Sequence, residues 1–230
     1  MSDRRHRSRQ TAAANSATDV TIGMYHPTVG TRSAGGVSTY VRELLAALPP
    51  DCSAYLYTSP GPFSLSASSH VNVVDVSRTV SPETLSVPVE VDFPVQDIAE
   101  SLAFFANATL SGALSRAQRD IDILYTHGEI DAALVSNTVD VPVVRVYHGV
   151  ARTGLGSRLL GRLSRATAAV ANSRQTAREL GDQLGHDVAG VVPPGVDIDL
   201  FTPDATPAFE SDRPVVLFVG RFLEAKGVFD

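Results

Sequence analysis

Two histidines close apolar stretches: His127 ends ILYTH and His148 ends VVRVYH. Imidazole titrates near neutral pH and both donates and accepts hydrogen bonds. At a strand end it can hold a substrate hydroxyl or shield a developing charge, or simply be satisfied by neighbouring backbone. Two histidines at equivalent ends strengthen the first reading. Gly35 and Gly36 lie in YHPTVGTRSAGG, just before a helical pattern. Adjacent glycines let backbone approach a ligand closely, and the N–H groups of a helix start favour an anion. The pair serves equally well as a plain helix start. Arg221 and Lys226 stand in VGRFLEAKG. A guanidinium just past an apolar strand and an ammonium opening the next helix suit a diphosphate, or are two solvated cations. Lys226 is the chain's single lysine, so a compact ammonium stands here in a sequence that otherwise uses arginine.

Other chemistries lack their residues. There is no H-E-x-x-H, no cysteine cluster and no His-x-His, so no metal and no bound cofactor are expected. No G-x-G-x-x-G follows the first strand, which disfavours a nicotinamide enzyme, and the hydrolase elbow and the P-loop are missing.

The elements that would position these residues alternate. DVTIGMY (19–25) reads as a strand, and 35–48 as a helix. Its residues Val37, Tyr40, Val41, Leu44, Leu45 and Leu48 form one apolar stripe, and Pro49-Pro50 stops it. AYLYT (54–58) and VNVVDV (71–76) read as strands, with loops over 59–69 and 77–93. A helical pattern runs from about Val95 to Arg119. Strands follow at 122–127, at 141–148 and within 166–173, then a helix from Arg174 and a further strand before Pro193. The strands are continuously apolar, which means both faces are covered. The expected fold is α/β, a Rossmann-like doubly wound, mostly parallel sheet over residues 19–208. Residues 202–214 are polar and proline-rich, a linker by composition, and PVVLFVGRF then starts a new buried strand. Residues 209–230 are therefore expected to be a linker and the first strand of a second domain that the chain does not complete, packing loosely or pairing in a homodimer.

Composition sets the class. A 43% hydrophobic and 19% charged chain of 230 residues has enough apolar material for a core and is not disordered. No run approaches the ~18 apolar residues of a spanning helix. A net charge of −6 argues against nucleic acid as a partner. Residues 1–18 hold four arginines against one aspartate and no apolar run, so they are no secretory signal. They read as a disordered basic tail, with weak attachment to anionic lipid the other reading. The lone Cys52 fits a small apolar side chain beside a strand in a reducing, cytoplasmic setting, with at most peripheral contact at the inner membrane face.

Four segments in order, SAGGVSTYVRELLAAL, VANSRQTARELGDQLG, VVPPGVDIDLFTP and VVLFVGRFLEAKG, resemble the family-4-like retaining glycosyltransferases of the GT-B fold over about 19–230. The resemblance implies two Rossmann-like domains facing across a cleft, the N-terminal one for the acceptor and the C-terminal one for a nucleotide-diphosphate sugar. It implies that Gly35 and Gly36 line the loop near diphosphate and acceptor. It implies that His148 contacts the transferred sugar, with His127 a second candidate, and that Arg221 and Lys226 neutralise the departing diphosphate without a metal. Asn172-Ser173 and Pro194–Asp197 match family turns of structural use. The family's glutamate pair has no counterpart among these residues, so the chain taken alone is expected to be inactive. The resemblance implies a nucleotide sugar and a glycan, lipid or small-molecule acceptor as partners, with a separately encoded C-terminal half also possible. The reading from another class is a non-catalytic Rossmann-like module binding a sugar or glycolipid, or half of a split enzyme. An inverting GT-B enzyme or a sugar-nucleotide epimerase of the same fold is disfavoured by VGR…KG.

Overall fold

The structure, a computed structural model, describes residues 20–31, 35–62, 70–85, 95–149, 155–185, 187–206, 212–220 and 227. These fall into two compact units, divided between Gly195 and Val196. The basic tail at 1–18 lies outside the described residues.

The first unit is built on one seven-stranded sheet. In chain order its elements are β1 (Val20–Tyr25), α1 (Gly36–Ala46), β2 (Cys52–Thr58), β3 (Val71–Asp75), a single 3₁₀ turn at Pro82–Thr84, α2 (Val95–Leu110), α3 (Ala113–Asp120), β4 (Ile123–Thr126), α4 (Glu129–Ser136), β5 (Val143–Tyr147), α5 (Leu155–Leu163), β6 (Ala168–Ala171), α6 (Arg174–Leu184) and β7 (Gly190–Val191). The spatial order is β3-β2-β1-β4-β5-β6-β7 and every pairing is parallel. The chain winds one way from β1 to β3, then returns to β4 on the other side of β1. This is the doubly wound Rossmann-like arrangement expected from the strand pattern, with its switch point between β1 and β4.

Both faces of the sheet are covered, as the continuous apolar strands require. On one face Met24, Ala54 and Leu56 pack against Val41 and Leu45 of α1, with Val37, Tyr40, Leu44 and Leu48 closing the edge of the cluster. The stripe of α1 is thus the core-facing side of the helix; full burial of a residue such as Leu45 contributes about 1.5–3 kcal/mol. On the other face Tyr25, Tyr57, Leu124 and Val143 meet Phe104 of α2, Leu114 of α3 and Val135 of α4. The buried Asn107 of α2 accepts from the N–H groups of Thr79 (2.9 Å) and Val80 (2.7 Å) and donates to Val80 O (2.8 Å). That fixes the loop leaving β3 to the helix layer.

Three readings of the sequence need correction. The helix expected from Val95 to Arg119 is two helices, because Gly112 sits at φ 71°, a left-handed conformation that ends one helix and starts the next. The strand expected before Pro193 pairs over Gly190–Val191 alone; the prolines that follow have no N–H to donate to a ladder. Residues 214–220 form no strand in the structure, and Val215, Val216, Leu217 and Val219 stand exposed. A β-type run becomes a strand only through a neighbour that takes its backbone hydrogen bonds, and none is paired with it among the described residues. Within the second unit, Asp197 Oδ1 accepts from the N–H groups of Asp199 (2.9 Å) and Leu200 (3.1 Å), a side-chain-capped turn. No helix of the described residues is long and apolar enough to cross a membrane.

Candidate active site at the switch point

In an open parallel sheet, ligands bind beyond the carboxyl ends of the strands, where the winding direction reverses. Three consecutive positions of the sheet deliver a histidine there. His26 follows β1, His127 follows β4 and His148 follows β5. The rings of His127 and His148 stack at 5.2 Å between centroids with a 30° interplanar angle, and His127 Nδ1 lies 2.9 Å from His148 Nε2. His26 approaches His127 at 5.7 Å between centroids. Tyr40 of α1 completes the group, its ring edge-on to His148 at 5.0 Å and to His127 at 6.0 Å.

Hydrogen bonds from both sides hold the loops that carry His26 and His148. His26 N–H donates to Tyr57 O (3.1 Å), Ser59 N–H to Pro27 O (3.2 Å) and Gly30 N–H to Thr58 Oγ1 (3.1 Å). The β1–α1 loop is therefore stitched to the end of β2. Gly30 and Gly61 are in direct backbone contact: a Cβ on Gly61 would fall 2.1 Å from Gly30 O, so no side chain fits there. Thr28 N–H donates to His26 Nδ1 (3.2 Å), and Arg42 Nη1 donates to Val29 O (3.2 Å), which ties α1 to the same loop. On the other side, Asn172 Nδ2 donates to His148 O (3.1 Å), and Asn172 Oδ1 accepts from Thr176 Oγ1 (2.8 Å). Ser173 caps α6 by accepting from Thr176 N–H (3.0 Å). The Asn-Ser pair is thus structural, and it secures the carbonyl of His148.

Beneath the histidines the helix α4 brings charge into the core. Arg145 of β5 is buried, its Nη2 2.7 Å from Glu129 Oε1, and its guanidinium carbon lies 3.8 Å from the centre of the Tyr147 ring. Asp131, in the first turn of α4, is fully enclosed. Burial pushes its carboxyl up to about 6, against a smaller downward pull from its hydrogen bond with Ser101. Burial also holds the His127 imidazole well below its ordinary value, with His26 and His148 pulling the same way; burial lowers His148 as well. Both rings are accordingly neutral at neutral pH. His127 is partly buried as a residue, yet its Nε2 is sealed from solvent and has no hydrogen-bond partner among the described residues.

The structure brings His127 and His148 together and sets them beside α1, the helix that Gly36 opens. Gly35, at φ 155°, and Gly36 are exposed; Gly36 has open space where a Cβ would point, and no side chain among the described residues caps the helix start. Tyr40, one turn on from Gly36, touches both rings. Arg221 and Lys226 lie outside the described residues. His26 and Tyr40 are members that reasoning from sequence missed. His26 has the same strand-end placement that singled out the other two. Tyr40 was hidden by belonging to the apolar stripe of α1, in which it takes part at the same time. A further signal is that both paired histidines precede a glycine, Gly128 and Gly149. At Gly128 a Cβ would lie 2.6 Å from Asp131 Oδ2, so a larger residue there would push on the carboxyl that folds back against the start of α4. Among the described residues no group of three or more His, Cys, Asp or Glu could hold a metal ion.

A doubly wound parallel sheet with hydrogen-bonding side chains gathered at its switch point is a Rossmann-like arrangement, the kind of domain from which GT-B glycosyltransferases are built. The sequence matches the profile of Glycosyltransferase Family 4 over residues 34–200, and the chain belongs to that family. It is similar to the D-inositol 3-phosphate glycosyltransferases of Xylanimonas cellulosilytica (29% identical, 86% of this chain and 54% of the relative), Kineococcus radiotolerans (28%, 86% and 50%) and Geodermatophilus obscurus (28%, 86% and 48%). The chain spans about half the length of the curated relatives it matches. Among solved structures it resembles a sucrose-phosphate synthase from Thermosynechococcus elongatus, with TM-score 0.50 and 13% identity over 78% of this chain and 92% of that one. It also resembles a lipopolysaccharide outer core galactosyltransferase in its apo form, with TM-score 0.51 and 12% identity over 85% of this chain and 50% of that one. At such identities the likeness is one of fold.

Proposed function

We propose that this chain is the acceptor-side part of a retaining glycosyltransferase that takes a sugar from a nucleotide-diphosphate donor. The observation that carries the proposal is the His127–His148 pair, hydrogen-bonded at 2.9 Å, at the switch point of the sheet and beside the open start of α1. His148 contacts the transferred sugar. The exposed glycine backbone at 35–36 accepts the diphosphate side of the donor, where N–H groups and the helix dipole favour an anion. Arg221 and Lys226 belong to the same proposal as the cations that stabilise the leaving diphosphate, with no metal required. Neutral imidazoles suit such a site, since they offer hydrogen bonds to sugar oxygens without adding charge.

The relatives' shared name makes D-inositol 3-phosphate the first acceptor to test, with unphosphorylated inositol as its control. The glutamate pair of the resembling enzymes has no counterpart in these 230 residues, so for the chain alone we expect acceptor binding without turnover. The experiment is a panel of UDP- and GDP-sugars offered with D-inositol 3-phosphate to the chain, with and without a second Rossmann half supplied in trans or fused. Product formation only with the second half, and an anomeric proton coupling in the product matching that of the donor, is the expected result. Turnover by the chain alone, an inverted product, or transfer in the completed assembly that His148→Ala leaves unchanged would overturn the corresponding part of the reading.

A further inference from the structure

The hydrogen bond between the two imidazoles has a direction, and the burial of the other nitrogens sets it. A neutral imidazole carries one proton, so in the 2.9 Å contact one ring donates and the other accepts. If His127 accepted at Nδ1, its own proton would sit on Nε2, which is sealed from solvent and has no partner. That would bury an N–H with nothing to receive it. If His127 donates from Nδ1, Nε2 bears only a lone pair. Orphaned buried N–H groups are the rarer and more costly of the two. The neighbouring His26 supplies no relief, because its Nδ1 already accepts from Thr28 N–H at 3.2 Å, which makes it a donor at its other nitrogen when neutral. Donation by His127 leaves His148 accepting at Nε2 and protonated at Nδ1. That nitrogen has no hydrogen-bond partner among the described residues and is not among the buried unpartnered atoms. The ring of His148 is held on two sides, stacked on His127 and met edge-on by Tyr40, so its nitrogens do not exchange places freely.

We propose that His127 is a positioning residue that locks His148 in the Nδ1–H tautomer, so that His148 meets its ligand as a hydrogen-bond donor. The tautomer is a property of this chain alone; its use on a sugar oxygen rests on the function proposed above. In this state His148 cannot act as a general base at the nitrogen it presents. It suits an oxygen that offers a lone pair, including one gaining negative charge in a transition state.

The test is a long-range ¹H–¹⁵N spectrum of protein labelled at its histidine nitrogens, recorded at pH 8. The expected spectrum shows His148 with a pyrrole-type Nδ1 and a pyridine-type Nε2. His127→Asn places an amide donor close to the lost Nδ1–H and keeps that pattern. His127→Phe removes the donor, and His148 reverts to the Nε2–H form that free imidazole side chains prefer in water. A wild-type spectrum showing Nε2–H at His148, or an unchanged tautomer in folded His127→Phe, overturns the proposal. Should His127→Phe fail to fold, the wild-type spectrum and His127→Asn decide it. In the active assembly, His127→Phe should lower kcat about tenfold with KM little changed, and His127→Asn should recover most of it. An Nδ1–H spectrum with no transfer activity would count against the function and leave the tautomer standing.

Discussion

His148 joins two roles that are usually separated, since its carbonyl is held by Asn172 while its ring is held by His127 and Tyr40. Removing the imidazole leaves that scaffold in place. His148→Ala is therefore expected to keep the melting temperature within a few degrees and to lower kcat/KM for transfer by about a hundredfold, the scale of one lost transition-state hydrogen bond; kinetics alongside a thermal melt check both halves. Asp131 makes the opposite case, a group that costs stability. Its carboxyl is pushed up to about 6 from an ordinary 3.8, so the folded state holds a proton that the unfolded chain gives up in that interval. Its contribution is present below pH 4 and is lost as pH rises through 6. Asp131→Asn should thus stabilise the protein above pH 6, by about 1–3 kcal/mol, and make little difference at pH 4. Urea unfolding at pH 4 and pH 7.5 measures this, and equal effects at both would remove the explanation. His127 and His148 were legible in the sequence because they end apolar strands. The Glu129–Arg145 pair and Asp131 were not, because one sequence cannot show which polar side chains a helix turns inward.

At the scale of elements, α4 is the piece that connects core and site. Its first turn carries Glu129 and Asp131, and it follows β4 after only His127 and Gly128. The strand–helix alternation required a crossover between β4 and β5, yet its weak amphipathic pattern gave no start or end: Ala132, Ala133 and Val135 are buried together with Asp131 and Ser136. α1 was legible to within two residues because one side of it faces solvent and the periodicity is clean. For α4, Glu129→Ala would leave the buried guanidinium of Arg145 without its carboxylate, and a loss of about 3–5 kcal/mol is expected. Glu129→Gln, which keeps an acceptor, should lose less. Denaturant midpoints for the two variants test the ordering, and a near-neutral Glu129→Ala would mean that water reaches the arginine.

Across the whole molecule, the two kinds of buried titratable group oppose each other as pH falls. His127 and His148 are held below 6.5 in the folded state. The unfolded chain therefore binds protons first on acidification, and the folded state loses stability as pH drops below about 6.5. For His127 this reaches up to about 1.4 kcal/mol per pH unit. Asp131 pulls the other way over pH 4–6. Melting temperature should accordingly fall more steeply below pH 6 in Asp131→Asn than in the wild type, and parallel curves would show that the two effects do not share this window. The fold as a whole was legible in the unbroken hydrophobicity of its strands, which announces a sheet covered on both faces. What stayed hidden was the behaviour of 214–220, since a strand is made by its neighbour as much as by its own residues.

The position of β1 has a consequence for how the protein comes into being. Its residues pair on one side with β2, some thirty positions on, but on the other with β4, where Ile22 meets Ile123 about a hundred positions later. At about 5–20 residues per second, the ribosome needs on the order of five to twenty seconds between releasing the central strand and releasing its second neighbour. During that wait the middle of the future sheet has a raw edge, open to pairing with other chains.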